Sequence, residues 1–217
     1  MKKILPLILI LFLFGCDSKN GQEVVPTHIH DAIFIGDSIT ANWVKESKGH
    51  PEFFSNNNFL GLGFSGKTSA YLKTVFNAGV TKKHPKQAVI LCGTNDIAQN
   101  DGVYVPNEDI RDNIAWMAAE AAGSGIKVVL CSVLPSTHFY WAPSIHPEDA
   151  IIQLNVLIKA LAEEKGYAYV DYYSALVDSN KGLPSKYSSD GCHPNQDGYT
   201  IMEGVIFPIL QACPSAD

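Results

Sequence analysis

The chain has 217 residues, 46% of them hydrophobic and 18% charged, which suits one well-buried domain and is too apolar for wholesale disorder. Its formal net charge is -6, so no basic field is available to neutralise a phosphate backbone; this argues against nucleic acid and points to a small-molecule substrate. Five cysteines without a CxxC pair exclude a disulfide-dense scaffold and give no support to a structural zinc site.

The first residues, MKKILPLILILFLFGCDSKN, place two lysines before an apolar run over 4–14, then Gly15 and Cys16. That run is too short for a comfortable bilayer span and has the form of an export signal. Leu13, Phe14, Gly15 and Cys16 resemble a bacterial lipobox. The resemblance implies that residues 1–15 are a lipoprotein signal peptide and that Cys16 is the lipid attachment site. The chain would then sit on the periplasmic or cell-surface side of a bacterial membrane, held by its N-terminal lipid. The alternative is an ordinary secretory signal with an unrelated cysteine, and both readings mean export. Residues 16–27, small and polar, read as the lipidated N-terminus and a flexible tether, and residues 28–217 as one folded domain.

Beyond the tether, short apolar runs alternate with longer segments of helical period, the pattern of an α/β domain with a parallel sheet and helices on its faces. The predicted strands are AIFIG (32–36), NFLGLG (58–63), QAVILCG (87–93), IKVVLCSVL (126–134) and YAYVDY (167–172). The predicted helices cover 40–48, 68–77, 107–122, 147–165 and 196–212. In the fourth, Ile151, Leu154, Ile158 and Leu161 recur at helical spacing, and Gly166 supplies a stop. Cys92 and Cys131 each end an apolar run and read as small buried hydrophobes, whereas Cys192 and Cys213 are candidates for a late disulfide.

Open parallel sheets bind ligands beyond the carboxyl ends of their strands, so the residues just after each run are the functional candidates. The first run leads into Gly36, Asp37, Ser38, Ile39 and Thr40. A serine in a tight turn between strand and helix can project its hydroxyl from the sheet edge; the plainer reading makes Ser38 or Thr40 a helix cap, with Asp37 at the positive end of the dipole. The second run ends in GLGFSG, where a main-chain amide can donate to a developing oxyanion. The third ends in Gly93, Thr94, Asn95 and Asp96. This places a side-chain amide at the same rim, although Asn95 reads equally as a turn residue. Late in the chain come Asp190, Gly191, Cys192, His193 and Pro194. An imidazole three residues after a carboxylate can be held through one ring nitrogen while the other faces a serine; the plain alternative is a capping aspartate beside a solvent-exposed histidine. Taken together, a nucleophile, amide donors, a base and its acid fall at successive strand-end loops.

Four blocks in order, GDSIT (36–40), GLGFSG (61–66), GTND (93–96) and DGCHP (190–194), resemble the SGNH branch of the GDSL-type esterases and lipases. The resemblance implies a flavodoxin-like three-layer α/β/α sandwich on a five-stranded parallel sheet, with no cofactor and no metal. It implies ester hydrolysis through an acyl-enzyme on Ser38, with His193 as base, Asp190 as its orienting acid, and Ser38, Gly63 and Asn95 as oxyanion donors. The chain departs from the pattern at Gly61, where many members carry asparagine. The GxSxG elbow is absent, because Ile39 and Thr40 follow Ser38, which argues against the larger α/β-hydrolase fold.

The segment PSTHFYWAPSIHP (135–147) follows the fourth strand. Its Phe139, Tyr140 and Trp141 either offer a stacking surface to a sugar ring or acyl group, or pack the loop onto the domain. No long apolar lid is evident, which favours a short-acyl esterase over a long-chain lipase; the resemblance, with export and a lipid anchor, implies O-acetyl groups on extracytoplasmic glycans as the substrates. A lysophospholipase, a thioesterase and a platelet-activating-factor acetylhydrolase-like enzyme are the rivals within the same chemistry. A glycan-binding lipoprotein without turnover is the non-enzymatic one. Cys192 beside His193 raises a thiol nucleophile, disfavoured because neighbouring side chains in an extended segment point apart. His28 and His30 have a metal-compatible spacing but no carboxylate cluster or cysteine pair beside them. The sequence carries no signal for an oligomeric state.

Overall fold

The computed structural model describes residues 29–212; Cys16, the tether and Cys213 lie outside them, and with them the lipid attachment and the Cys192–Cys213 pairing. Five strands, β1 (Ala32–Gly36), β2 (Phe59–Gly63), β3 (Gln87–Leu91), β4 (Lys127–Cys131) and β5 (Ala168–Val170), form one sheet. They pair in parallel in the order β2-β1-β3-β4-β5. Between and after them run α1 (Ser38–Trp43), α2 (Pro51–Ser55), α3 (Ser69–Gly79), α4 (Thr94–Ile97), α5 (Asn107–Gly123), α6 (Glu148–Lys165), α7 (Tyr172–Leu176) and α8 (Gln196–Ala212).

Every residue of β1 and β3 is buried, as expected of central parallel strands covered on both faces. Strand alternation sends Ile33, Ile35 and Ile90 to one face, where they meet Leu72 and Phe76 of α3, Ile110 and Ile114 of α5, and Leu154 and Ile158 of α6. Phe34, Val89 and Leu91 go to the other, against Trp43 of α1, Phe54 of α2, Tyr172 of α7, and Tyr199, Met202 and Ile206 of α8. The result is the three-layer α/β/α sandwich anticipated from the alternation of runs.

Local chemistry shifts several boundaries. The helix expected over 40–48 stops at Trp43. Gly49 donates its amide to Lys45 O at 2.7 Å, His50 donates to Trp43 O at 2.8 Å, and Pro51 opens the separate helix α2, a glycine stop followed by a proline start. The fifth strand is three residues long, because the Asp171 side chain accepts from Ser174 N and caps α7, turning Tyr172 from strand to helix.

The helix carrying Ser38 lies flat against β2. A Cβ at Gly63 would collide with the backbone of Ala41, and one at Gly61 with the Val44 side chain, so the asparagine expected at Gly61 from the resemblance has no room. On its other side α1 is held by α8: Tyr199 donates its hydroxyl to Ile39 O at 2.7 Å and stacks on Trp43 at 5.3 Å. Tyr199→Phe keeps the ring and removes the bond. It is expected to lower stability by about 1–2 kcal/mol in urea denaturation, and an unchanged midpoint would show that the hydroxyl contributes nothing.

Candidate active site

Strand order reverses between β1 and β3, the switch point where open α/β sheets leave a crevice. Gly36 lies in register with Gly63 of β2 and Leu91 of β3, so three adjacent strands end at one level. Ser38, Gly63 and Asn95 therefore emerge at one rim.

Ser38 is the first residue of α1, but it does not cap the helix, and neither does Thr40. The cap is Asp37, whose Oδ1 accepts from Ile39 N at 2.9 Å. The Ser38 hydroxyl instead stands 2.8 Å from His193 Nε2, and His193 Nδ1 stands 2.7 Å from Asp190 Oδ2. The other oxygen of Asp190 accepts from Cys192 N at 2.9 Å, His193 N at 2.7 Å and the Ser188 hydroxyl at 3.1 Å. Ser188 Oγ also accepts from Gly191 N at 2.9 Å. Gly191 has φ +75°, a left-handed turn that glycine adopts without strain.

Burial alone would raise the Asp190 pKa. The amide and imidazole of His193, the Cys192 amide and the His193 charge outweigh it and bring the carboxyl down to about 2. An ionised carboxylate can only accept, so the proton between the two residues belongs to His193 Nδ1. This leaves the Nε2 lone pair facing the Ser38 hydroxyl, the arrangement needed to take its proton.

Asp37 is in the opposite condition. Its Oδ2 is buried with no hydrogen-bond partner among the described residues. Burial raises its pKa to about 6, against the opposing pull of the Ile39 amide and the His193 charge.

Asn95 is buried in α4. Its Nδ2 donates to Lys67 O at 3.0 Å and its Oδ1 accepts from Asn100 Nδ2 at 2.7 Å, which leaves one amide hydrogen for a ligand. Asp96 fixes the loop beside it, accepting from Ser69 N at 2.9 Å and from Ser69 Oγ at 2.6 Å. Asn100 and Ser188 had no signal in the sequence: each is one polar residue in a turn.

The three aromatics of the loop after β4 part company. Phe139 is fully buried, stacked on Trp141 at 5.0 Å, and belongs to the core; the expectation that it offers substrate a surface is corrected. Trp141 is half-buried, its ring 5.9 Å from that of His193. Tyr140 is 65% exposed and stands on the wall of a groove of about 660 Å³. Ser38, Asn42, Lys45 and Lys48 line that groove together with Ser189, Asp190, His193, Asn195, Gln196 and Asp197. Gly63 and Asn95 are not part of these walls.

Cys192 is buried and bonded to no other cysteine among the described residues. Burial and the Asp37 and Asp190 charges push its pKa well up, which removes the thiolate reading. Among the described residues no group of three or more His, Cys, Asp or Glu is placed to hold a metal, and His28 lies outside them.

A model of the GDSL-like lipase/acylhydrolase family matches residues 34–201. A candidate acylhydrolase from Bacteroides fragilis is 39% identical over 83% of this chain and 86% of its own, with a TM-score of 0.80. A GDSL-like lipase from Bacteroides thetaiotaomicron is 38% identical over 84% and 88%, also at 0.80. An acetylxylan esterase from Geobacillus stearothermophilus shares the fold at 19% identity over 85% and 96%, with a TM-score of 0.67. No curated protein matches the chain.

The two carboxyls give stability opposite pH dependences. The Asp37 pKa is raised from 3.8 to about 6 on folding. Its contribution is therefore fully present below about pH 4 and falls by about 3 kcal/mol as pH rises through 6. The Asp190 pKa is lowered, so its contribution is present above about pH 4 and fades toward pH 2. Asp37→Asn should therefore gain about 3 kcal/mol relative to wild type between pH 4 and pH 7 in urea titrations. A difference that stays constant over that range would contradict the buried, unpartnered state of Asp37.

Proposed function

Because the chain belongs to the GDSL-like lipase/acylhydrolase family, we propose that it is a serine esterase that removes short acyl groups, chiefly O-acetyl, from carbohydrates through an acyl-enzyme on Ser38. The observation that carries the reading is the unbroken chain from Ser38 Oγ through the His193 ring to Asp190.

His193 Nε2 takes the Ser38 proton as Oγ attacks the ester carbonyl carbon. The tetrahedral oxyanion is held by the Ser38 and Gly63 amides and the unengaged hydrogen of Asn95 Nδ2. Asp190 stabilises the imidazolium by charge and keeps its Nδ1 proton in place. The intermediate collapses as His193 returns its proton to the departing ester oxygen, which leaves as the sugar hydroxyl. His193 then deprotonates a water, which attacks the acyl carbon, and Ser38 recovers its proton as the carboxylic acid leaves. Each proton that leaves an oxygen passes through one nitrogen.

The groove supports a saccharide leaving group. Its walls are hydroxyls, amides and charges, with Tyr140 as an exposed ring on which a sugar can stack. The fold shared with an acetylxylan esterase speaks for architecture alone, so the choice of a glycan rests on those walls. Lipid attachment at Cys16 is part of the proposal and would hold the enzyme where extracytoplasmic glycans lie. One observation favours a second reading: Lys45 and Lys48 line the groove with no salt bridge among the described residues, which suits the phosphate of a lysophospholipid or a platelet-activating-factor-like substrate.

Purified protein is expected to hydrolyse p-nitrophenyl acetate well above the decanoate, and acetylated xylo-oligosaccharides above lysophospholipid; the reverse order would select the second reading. Ser38→Ala and His193→Ala should each lose about four to six decades of turnover. Asn95→Ala should lose about two to three decades, or about 3–4 kcal/mol. Turnover in Ser38→Ala within tenfold of wild type would end the acyl-enzyme reading, whereas no turnover in wild type on any of these esters would leave a glycan-binding role.

A further inference from the structure

Three side chains, from α4, the turn after it and the loop after β4, form one directed hydrogen-bond chain beside the site. Trp141 Nε1 donates to Asn100 Oδ1 at 2.9 Å, Asn100 Nδ2 donates to Asn95 Oδ1 at 2.7 Å, and Asn95 Nδ2 donates to Lys67 O at 3.0 Å. Asn100 Nδ2 also donates to Gly66 O at 3.2 Å. The direction is set at both ends, because an indole N–H can only donate and a backbone carbonyl can only accept. Turning either amide over would place oxygen against oxygen or nitrogen against an N–H donor. The chain also ties together the loop after β2, the turn after α4 and the loop after β4. Its indole lies 5.9 Å, ring to ring, from the imidazole of His193.

We infer that Asn100 is a positioning residue that fixes the direction of the Asn95 amide, with Trp141 fixing Asn100 in turn. The inference rests on Asn95 donating to the oxyanion. A carboxamide has two ends of similar shape and opposite polarity. With its nitrogen toward the substrate oxygen Asn95 stabilises negative charge, and with its oxygen there it repels it. Packing cannot tell the two apart, whereas the Asn100 donor, together with the Lys67 carbonyl, can. Trp141 thereby has a second role beside lining the His193 ring: its N–H occupies Asn100 Oδ1, so that only Nδ2 is left to face Asn95. Neither residue touches the reacting atoms, and the effect falls on charge stabilisation rather than on substrate affinity.

The test is a double-mutant cycle with p-nitrophenyl acetate. Asn100→Asp keeps the shape and the acceptor for Trp141 but replaces the donor that faces Asn95 Oδ1 and Gly66 O. It is expected to lower kcat about 10- to 100-fold with KM within about twofold, and to have no further effect in the Asn95→Ala background. Trp141→Phe, which keeps an aromatic ring and removes the N–H, should lower kcat about 3- to 10-fold in wild type and leave Asn95→Ala unchanged. An Asn100→Asp loss of equal size in both backgrounds, or no loss in either, would overturn the inference. If Asn100→Asp does not fold, the Trp141→Phe cycle decides by the same criterion. If Asn95→Ala itself keeps full turnover, the oxyanion role fails first and the positioning role falls with it, a result distinct from additivity.

Discussion

The hydrogen bond between Ser38 and His193 joins residues 155 positions apart, and the rest of the molecule is organised so that it can form. Ser38 is delivered by a buried central strand. His193 is delivered by a loop that enters α8, so the bond depends on how α8 sits against α1. Besides the Tyr199 hydroxyl, that contact is fastened by Glu203 of α8, whose Oε1 accepts from Trp43 Nε1 at 2.9 Å and lies 2.9 Å from His50 Nδ1. The aromatic layer of Phe34, Trp43, Phe53, Phe54 and Tyr199 fills the space between. Packing on one face of the sheet thus sets the distance over which the proposed proton transfer occurs.

Two carboxylates next to the site occupy contrasting environments. Asp190 is surrounded by donors and stays ionised, which fixes the imidazole tautomer. Asp37 spends one oxygen on the α1 cap and buries the other without a partner, so its proton is held far more tightly. Environment rather than residue type assigns the first to orienting the imidazole of His193 and the second to shaping the turn that presents the serine. The same division runs through the amides: Asn95 commits one hydrogen to Lys67 and its oxygen to Asn100 and keeps the other hydrogen for a ligand, and the two commitments together direct the free one.

How much of this was legible in the sequence varied with the physics at each place. The central strands were plain because residues such as Ile33, Phe34 and Ile35 are buried on both faces and form continuous apolar runs. The end of α1 was missed because Lys45, Glu46, Ser47 and Lys48 are all compatible with a helix, and the turn closed by the amides of Gly49 and His50 before Pro51 breaks it. Ser38, Asn95, Asp190 and His193 stood out as blocks in a resembling order, while spacing alone left each open to a capping or turn reading. Phe139, Tyr140 and Trp141 could not be sorted, since three consecutive aromatics in a loop follow no period; the fold sent one to the core, one to the His193 ring and one to solvent. Asn100 and Ser188 were invisible because their roles lie in the direction of a hydrogen bond, which a sequence does not carry.

The most direct measurement of the central claim is reaction with a fluorophosphonate followed by intact-mass analysis and peptide mapping, since only a serine activated by a neighbouring base is phosphonylated rapidly. The account predicts one adduct, on Ser38, formed rapidly in wild type and abolished on the same timescale in His193→Ala. An adduct at any other residue, or equally fast labelling of Ser38 without the imidazole, would contradict it.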